Sequence, residues 1–300
     1  MDKKTIVVCG ATGKQGGAVI ESLLKKQHWN VVALSRNLEG DKATALRKRG
    51  VKVMKADLQD RASLVSAFRG AKGVFGVTQP WSSDYKKCYT DAEIVQGHNI
   101  VDACNKASVE HLIISSVVHL DMKHTGVTHV DSKIAIENYL KQSKVPHTLL
   151  RLASFMDNIG ADFFPVKRRY VRGLTDKNVK VIYIACKDIG EFAAIAFEQP
   201  DKYLNKDLDL IADFISGEEL AETLGKIRKG EYFKYKSPPK FLLKIFAKEF
   251  YEMRLLFENW GRPPYPEEFS NAIKKCKEIH PGIMTVEEYL LSKGYDVKQL

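Results

Sequence analysis

Short apolar runs alternate with amphipathic segments through the first two thirds of the chain, and this alternation constrains the fold more than any other feature. The runs include "TIVVCG", "NVVALSR", "GVFGVTQP" and "HLIISSVV", which are rich in valine and isoleucine, as strands buried on both faces are. The segments between them, such as "QGGAVIESLLKKQ" and "DRASLVSAFRG", have the character of helices. Strands and helices in this order predict right-handed βαβ crossovers and a parallel sheet, which is an α/β fold.

Composition excludes several classes of protein. The 300 residues are 44% hydrophobic and 28% charged, as in a globular protein, and no run approaches the roughly 18 apolar residues of a membrane helix. The opening "MDKKTIVVCG" lacks a signal-peptide pattern, and five cysteines without a C-x-x-C pair indicate a reducing compartment. We therefore expect a cytoplasmic protein without membrane contact, and a nuclear fraction stays open.

The net charge of +10 leaves several partners open. It is compatible with an anionic cofactor, an acidic partner or nucleic acid, although lysines spread over helix faces are more often simply solvated. Direct nucleic-acid binding is not expected, because no helix-turn-helix or zinc-finger pattern is present. We expect no metal site either, since the clustered histidines do not share one helix face; they are His111, His119, His124 and His129.

A glycine-rich turn joins the first apolar run to the first helical segment. Gly10, Gly13 and Gly16 are spaced G-x-x-G-x-x-G, which predicts a tight turn, close approach of a pyrophosphate and close packing of helix on strand. The helix N-terminus favours the negative charge of the phosphates. The alternative is a plain glycine-rich turn. Other residues of the turn expected to contact the dinucleotide are Thr12, Lys14 and Gln15.

The end of the second strand indicates which dinucleotide is bound. An acidic residue there would bind a ribose 2′-hydroxyl, but this chain has Ser35 and Arg36, with Lys42 shortly after. A guanidinium matches a 2′-phosphate in charge and geometry, so the sequence favours NADP(H) over NAD(H). The alternative is an exposed surface arginine.

The ends of the third and fourth strands supply further candidate contacts. Asp57 is placed to bind an adenine amino group with Leu58 beside the ring, and Asp57 alternatively caps the following helix. Thr78, Gln79 and Pro80 lie where the cofactor would pass the edge of the sheet.

The motifs "GATGKQGG", "LSRN", "ADLQD", "SSV" and "THVDSKIAIENYL", taken in this order, resemble the NmrA-like family. Its members are atypical relatives of the short-chain dehydrogenase/reductase superfamily. The segments "LLRLASFMDNI" and "IHPGIMTVEEYLLSKGYD" resemble the family's nicotinamide-proximal segment and C-terminal end, so the resemblance covers nearly the whole chain. It implies a Rossmann-type doubly wound parallel sheet with a smaller, mainly helical C-terminal region. It also places Phe155 and Asn158 near the nicotinamide, although Phe155 is equally compatible with core packing.

The same resemblance raises the question of catalysis. Enzymes of the superfamily usually carry Y-x-x-x-K, whose tyrosine gives a proton to the substrate while the lysine lowers its pKa and holds the ribose. Lys133 is present here, but His129 stands in the tyrosine position. Ser115 and Ser116 end the fifth strand, where a serine often polarises the substrate carbonyl.

Two interpretations of this altered motif follow. In one, His129 or Lys133 serves an NADPH-dependent reductase of a small carbonyl, quinone or enone substrate. In the other, Lys133 binds the ribose and the protein acts as a redox-sensing regulator of protein partners with little or no turnover. The resemblance favours the second, because the family includes regulators that bind dinucleotide and partner proteins.

We predict two regions along the chain. Residues 1–153 are expected to form an NADP-binding domain, with strands near 180–186 and 207–212 returning to its sheet. Residues 154–300 are expected to form a smaller, mainly helical region that covers the cofactor cleft. Within it, the segment Lys240–Trp260 is basic and aromatic at helical spacing. We expect it to pack on its own sheet, with a cleft wall or a partner surface as alternatives.

Overall fold

The computed structural model describes residues 3–82, 87–162, 164–167 and 169–297. The strands are β1 (Lys4–Val8), β2 (Trp29–Ser35), β3 (Lys52–Lys55), β4 (Gly73–Gly76), β5 (His111–Val117), β6 (His147–Leu152), β7 (Ser154–Phe155), β8 (Val166–Lys167), β9 (Tyr170–Arg172), β10 (Lys180–Ile184), β11 (Lys206–Leu210), β12 (Asp213–Ser216) and β13 (Lys234–Lys236). The helices are α1 (Lys14–Lys26), α2 (Asp41–Lys48), α3 (Arg61–Phe68), α4 (Thr90–Lys106), α5 (Thr128–Gln142), α6 (Cys186–Glu198), α7 (Pro200–Tyr203), α8 (Gly217–Ile227), α9 (Lys240–Phe246), α10 (Lys248–Trp260), α11 (Tyr265–Ile279) and α12 (Val286–Ser292), with a 3-10 turn at Met156–Asn158.

A seven-stranded sheet in the order β11-β6-β5-β4-β1-β2-β3 forms the centre of the fold. The pairs β1–β2, β2–β3, β1–β4 and β4–β5 are parallel. From β1 the chain first adds strands on one side and then returns to the other, so the strand order reverses between β1 and β4. The predicted Rossmann-type doubly wound sheet is confirmed, and ligands of such sheets bind outside the carboxyl ends of the strands at this reversal.

Helices cover both faces of this sheet. On one face, α3, α4 and α5 lie side by side over a core that includes Val7, Val74 and Leu112. On the other face, α1 and α6 approach so closely that a Cβ on Gly190 would collide with the backbone of Ala18. The central strands therefore have both faces buried, which explains their nearly continuous apolar composition.

The chain divides into two compact units that each contain several segments of sequence. The first comprises residues 1–124, 128–151 and 189–209, and the second comprises 125–127, 152–188 and 210–300. Of the two strands expected to return to the main sheet, β11 joins it beside β6. The expectation for the strand near 180–186 is wrong, because β10 pairs with β12 and β7 in a separate sheet. Its apolar run is buried there equally well, and an apolar run alone does not specify a sheet.

The second unit combines helices α8 to α12 with two three-stranded sheets, β12-β10-β7 and β13-β9-β8. The helical character predicted for this region therefore holds for its later part, while its earlier part also contains short strands. The segment Lys240–Trp260 forms two helices that meet at Ala247. We expected the whole segment to pack on its own sheet. The structure shows that α10 buries Leu256 and Trp260, whereas most of α9 is exposed. Within the described ranges, no helix is long and apolar enough to cross a membrane.

Candidate functional site

The glycine turn between β1 and α1 has the conformation that the spacing predicts. Gly10 has φ +58°, in the left-handed region that favours glycine, and a Cβ there would lie 2.5 Å from Cγ1 of Val77. A Cβ on Gly16 would collide with the carbonyl of Gly10, so only glycine lets the helix start this close to the turn. The backbone thus leaves a side-chain-free cradle beside the carboxyl end of β1.

The N-terminus of α1 is well suited to an anion. Gly13 is the N-cap residue, no side chain caps the helix, and its first turn contains no acidic residue. Four N–H groups at a helix start have no partner within the helix, and the helix dipole adds positive potential there. Lys42 donates to the carbonyl oxygen of Thr12 at 3.1 Å, which brings a second positive charge to the turn, beside Lys14.

Arg36 follows β2 directly and is exposed. Its guanidinium makes no hydrogen bond or ion pair with the part of the chain that the structure describes. The preceding Ser35 is engaged locally, since its hydroxyl donates to the carbonyl oxygen of Asn37 at 2.7 Å. Arg36 is therefore available to bind an anionic group at the carboxyl end of β2.

Asp57 and Leu58 lie just beyond β3. One carboxylate oxygen of Asp57 accepts a hydrogen bond from the backbone N–H of Gln59 at 3.0 Å. The alternative in which Asp57 caps α3 is wrong, because Asp60 is the N-cap and accepts from two backbone N–H groups. Asp60 wins this role because it immediately precedes the helix, and Asp57 forms a turn instead. The side chain of Leu58 packs partly against the core.

Thr78, Gln79 and Pro80 follow β4 and differ in what they expose. Gln79 is exposed, while Thr78 and Pro80 are buried. The Thr78 hydroxyl donates to Oε1 of Glu93 at 2.8 Å, so its side chain belongs to an interior network. Gln79 is the member of this group whose side chain is presented to solvent.

Lys133 is the centre of that network. Its Nζ donates to Oγ1 of Thr78 at 2.6 Å and to the Thr78 carbonyl oxygen at 3.4 Å, and it forms an ion pair with Glu93 at 2.8 Å. Glu93 is fully buried and also accepts from the hydroxyl of Ser132. The ammonium group thus makes two hydrogen bonds to Thr78, the one to the carbonyl oxygen being long, and is neutralised by the carboxylate of Glu93.

Close packing of α4 on α5 produces this arrangement. Gly97, one turn after Glu93, lies so near α5 that a Cβ would be 2.5 Å from Cγ1 of Ile136. Glu93 is thereby brought within reach of Ser132 and Lys133 on the facing helix. Removing one member of such a buried ion pair typically costs about 3–5 kcal/mol, because the other charge is left uncompensated.

His129 lies one turn before Lys133 in the first turn of α5 and is half-buried. Its ring lies 5.4 Å from that of Trp81, with an interplanar angle of 55°. Ser132 donates to the backbone carbonyl oxygen of His129 at 3.1 Å. The residue in the tyrosine position is therefore an imidazole beside an indole.

The two serines that end β5 have different roles. Ser115 donates to Oε1 of Gln15 at 2.6 Å, which ties β5 to the glycine turn. Ser116 donates to Glu137, a carboxylate that is 2% exposed. Only Ser115 therefore faces the predicted dinucleotide contacts.

Glu137 is the centre of a second buried network. It accepts hydrogen bonds from Arg151 and His119 in addition to Ser116. Burial alone would raise the pKa of Glu137, but the hydrogen bonds from His119, Arg151 and Ser116 lower it to about 2. Arg151 also contacts Asp207 of β11 at 3.0 Å, so the cluster links β5, α5, β6 and β11.

Most of the predicted site residues lie in the first unit, and contacts connect many of them. The turn residues, Val77–Thr78, Ser115 and Lys133 are joined by the bonds and close approaches described above. Phe155 and Asn158 belong to the second unit, where Phe155 ends β7 and Asn158 lies in the 3-10 turn. Their place near a nicotinamide stays a prediction.

Sequence reasoning did not find Glu93 or Glu137. Both lie on helix faces that are otherwise buried, with Gly97, Ile100 and Cys104 following Glu93 on α4. A carboxylate at a core-facing position requires a buried partner, and this signal was available in the helical spacing. The identity of each partner could not be predicted, because the partners of Glu93 depend on how α4 packs on α5, and those of Glu137 depend on how α5 packs on β5 and β6.

Comparisons with known proteins agree with this fold. The family model described as the NmrA-like family matches residues 2–290. An NmrA-like family domain-containing protein of Dictyostelium discoideum is 26% identical over 240 residues, which cover 75% of this chain and 77% of that protein. The structure is similar to that of NmrA, a negative transcriptional regulator, in complex with NADP (TM-score 0.76, 19% identity, 96% of this chain and 94% of that chain). It is also similar to the NADPH-dependent quinone oxidoreductase QOR2 of Escherichia coli in complex with NADPH (TM-score 0.75, 24% identity, 96% and 99%).

Proposed function

The chain belongs to the NmrA-like family, and from this membership we propose that it binds NADP(H) and acts as a redox-responsive regulator of protein partners, with little or no turnover of the cofactor. The observation that carries the proposal is the engagement of Lys133. Its ammonium group makes two hydrogen bonds to Thr78 and an ion pair with Glu93, and the position one turn earlier holds His129 in place of tyrosine. The chain thus retains the lysine of a dinucleotide site but lacks the usual phenolic proton donor.

The residues of the first unit fit a phosphorylated dinucleotide. The glycine cradle and the acid-free N-terminus of α1 would hold the pyrophosphate, and Arg36 would hold the 2′-phosphate. Asp57 would contact the adenine side of the cofactor, and Gln79 would contact its backbone. Ser115 and Lys133 would contact the nicotinamide ribose, where Lys133 would exchange its 3.4 Å bond to the Thr78 carbonyl for a ribose hydroxyl. When bound, the cofactor supplies a nicotinamide that exists in an oxidised and a reduced form. The solved structures of NmrA with NADP and of QOR2 with NADPH support this choice of cofactor.

A regulator of this kind needs two conformations. A dinucleotide shifts the protein between them only if it binds them unequally, so NADPH and NADP+ must differ in affinity for the two states. The loops after β2 and β4 are the segments we propose to move, because Arg36 and Gln79 lie there. No disulfide joins any of the five cysteines, all of which lie in the described ranges, in keeping with action in the cytoplasm.

Calorimetric titration with NADPH, NADP+, NADH and NAD+ tests the cofactor assignment. A charge-assisted contact to Arg36 is worth roughly 1.5–3 kcal/mol, so we expect the phosphorylated forms to bind about ten- to a hundredfold more tightly. Arg36→Ser should remove this preference, whereas Arg69→Ser, at an exposed arginine outside the site, should preserve it. Comparable affinity for NAD+ and NADP+ in the unaltered protein would refute the role of Arg36.

Hydrogen exchange tests the regulatory part. With both cofactors at saturation, we expect the NADPH and NADP+ complexes to differ in exchange of the loops after β2 and β4. Identical exchange patterns would leave no second conformation for a partner to recognise and would refute the sensor.

An NADPH-dependent reductase is the second candidate. The likeness to QOR2 favours it, because that protein is a quinone oxidoreductase with the same fold. Oxidation of NADPH should be followed with quinones, aldehydes and enones as acceptors. We expect no appreciable turnover, and robust turnover that is lost in Lys133→Met or His129→Phe would establish the reductase instead.

A further inference from the structure

Helix α9 turns its apolar side to solvent. Phe241 and Ile245 are 64% and 67% exposed and lie one turn apart. Leu242 and Phe246 form the neighbouring row and are 38% and 80% exposed. Leu243 is the apolar residue of this helix that is buried.

Exposed large apolar side chains are concentrated on helix α9. Nine large apolar side chains are strongly exposed in the described ranges, and four of them lie in these seven residues. The next helix of the same basic, aromatic segment behaves in the ordinary way, since Trp260 of α10 is buried and its ring lies 5.6 Å from that of Phe269. A contiguous exposed apolar cluster marks an interaction site, whereas scattered apolar residues do not.

Lysines flank this cluster on one side. Lys240 and Lys244 are spaced four residues apart on α9 and so form a row beside Phe241 and Ile245, and Lys248 begins α10 just after the break at Ala247. Lys240 is paired with Glu258 at 2.6 Å. Lys244 and Lys248 are exposed and make no ion pair with any described residue, so two positive charges are available to a partner.

Charge and size select the kind of occupant. A second copy would bring two chains of net charge +10 together at lysine-bearing faces, which like-charge repulsion opposes. A lipid surface fits poorly, because α9 spans only about 10 Å and carries its lysines on one side only. An acidic protein segment with an apolar face satisfies both the cluster and the one-sided charge.

We propose that the α9 face, formed by Phe241, Leu242, Ile245 and Phe246 with Lys244 and Lys248, docks an acidic amphipathic helix of a partner protein. The apolar side of that helix covers the two phenylalanines, and its carboxylates meet the two lysines. The inference rests on the proposed function in one respect, since it names the place and the chemistry of the partner contact.

Synthetic helical peptides serve as the probe. They carry leucine at positions i, i+3, i+4 and i+7 and glutamate elsewhere, and their binding is followed by fluorescence anisotropy at low and high salt. One control peptide has the same composition in scrambled order, and another has lysine in place of glutamate. We expect the acidic amphipathic peptides to bind at least about tenfold more tightly than either control, and more weakly at high salt.

Variants locate the contact. Phe241→Ser with Phe246→Ser should weaken peptide binding by about tenfold or more, and these exposed positions leave the core intact. Lys244→Glu with Lys248→Glu should weaken binding and remove its salt dependence. Matched controls at exposed positions on other helices, Leu291→Ser and Lys226→Glu, should bind as the unaltered protein does.

Three results would overturn the docking proposal. The first is that the acidic amphipathic peptides bind no better than the scrambled peptide, or that they bind the α9 variants as tightly as the unaltered protein. Another is α9-dependent sedimentation with phosphatidylcholine–phosphatidylserine vesicles, which would assign the face to lipid. The last is an α9-dependent dimer in sedimentation velocity. Titration of the unaltered protein and the variants with NADPH separates this proposal from the cofactor proposal, because the α9 variants should retain full dinucleotide affinity even if the peptides fail to bind.

Discussion

Replacing Glu137 by glutamine removes the anionic centre of the buried cluster that joins β5, α5, β6 and β11. The carboxylate is 2% exposed and accepts hydrogen bonds from Arg151, His119 and Ser116. Glutamine keeps the size of the side chain and one carbonyl oxygen, so the change mainly removes the charge. Arg151 retains Asp207 as a partner, which preserves part of its pairing.

The magnitude follows from the pKa. A lowering from 4.5 to about 2 corresponds, at about 1.4 kcal/mol per unit, to about 3 kcal/mol of unfolding free energy. Because the folded pKa lies below the unfolded one, this contribution is complete above about pH 4.5. It is lost as the pH falls from there towards about 2, where the folded protein also takes up the proton.

Urea unfolding followed by circular dichroism provides the assay. At neutral pH we expect Glu137→Gln to unfold with about 3 kcal/mol less free energy than the unaltered protein, and the gap should narrow as the pH falls below 4.5. Glu218→Gln is the matched control, because its ion pair with Lys177 is exposed and contributes far less. The reasoning fails if Glu137→Gln is no more destabilising than the control, or if the gap is the same at acidic and neutral pH.

Two further predictions concern the glycine turn and two buried thiols, Cys9 after β1 and Cys104 on α4. Gly16→Ala should abolish NADPH binding in calorimetry, because the added Cβ collides with the glycine turn. The control Gly17→Ala should bind NADPH normally, since its Cβ would lie 3.8 Å from the nearest described atom. Equal NADPH affinities of the two variants would contradict the predicted cradle. Burial raises the pKa of Cys9 to about 12 and also raises that of Cys104, so neither thiol should react with Ellman's reagent in the folded protein, measured in a background in which Cys88, Cys186 and Cys276 are replaced by serine. Rapid reaction before unfolding would show that this part of the sheet opens.

Local patterns made much of the fold predictable from the sequence. A strand, a glycine turn and a helix are neighbours along the chain, and Gly10 adopts the positive φ that such a turn requires. Continuous apolar strands specified a parallel sheet covered on both faces, and the crossover rule then restricts the strand order. Arg36 was predicted from its place at the end of the second strand and Lys133 from the resemblance to the Y-x-x-x-K motif, and their roles towards a dinucleotide stay predictions.

Features that depend on packing between distant segments were not predictable. β10 has the apolar composition of a central strand, but its partners β7 and β12 are chosen by tertiary contacts. In the same way, α9 and α10 share one aromatic and basic pattern, and only the folded chain distinguishes the buried helix from the exposed one. The pairing of Glu93 with Lys133 depends on the close approach of α4 and α5 at Gly97.

The place of β11 has a consequence for how the protein is made. When residue 153 has left the ribosome, six strands of the central sheet exist, but the strand that covers the outer edge of β6 lies more than fifty residues ahead. Until then Arg151 lacks Asp207, and the nascent sheet exposes an edge that invites mispairing. Only residues 154–188 of the second unit are synthesised in that interval, and the first unit is complete at residue 209 while residues 210–300 of the second unit are still to come. A cut between residues 153 and 154 would therefore divide a folding unit, and the dinucleotide-binding half cannot be transplanted as a continuous module.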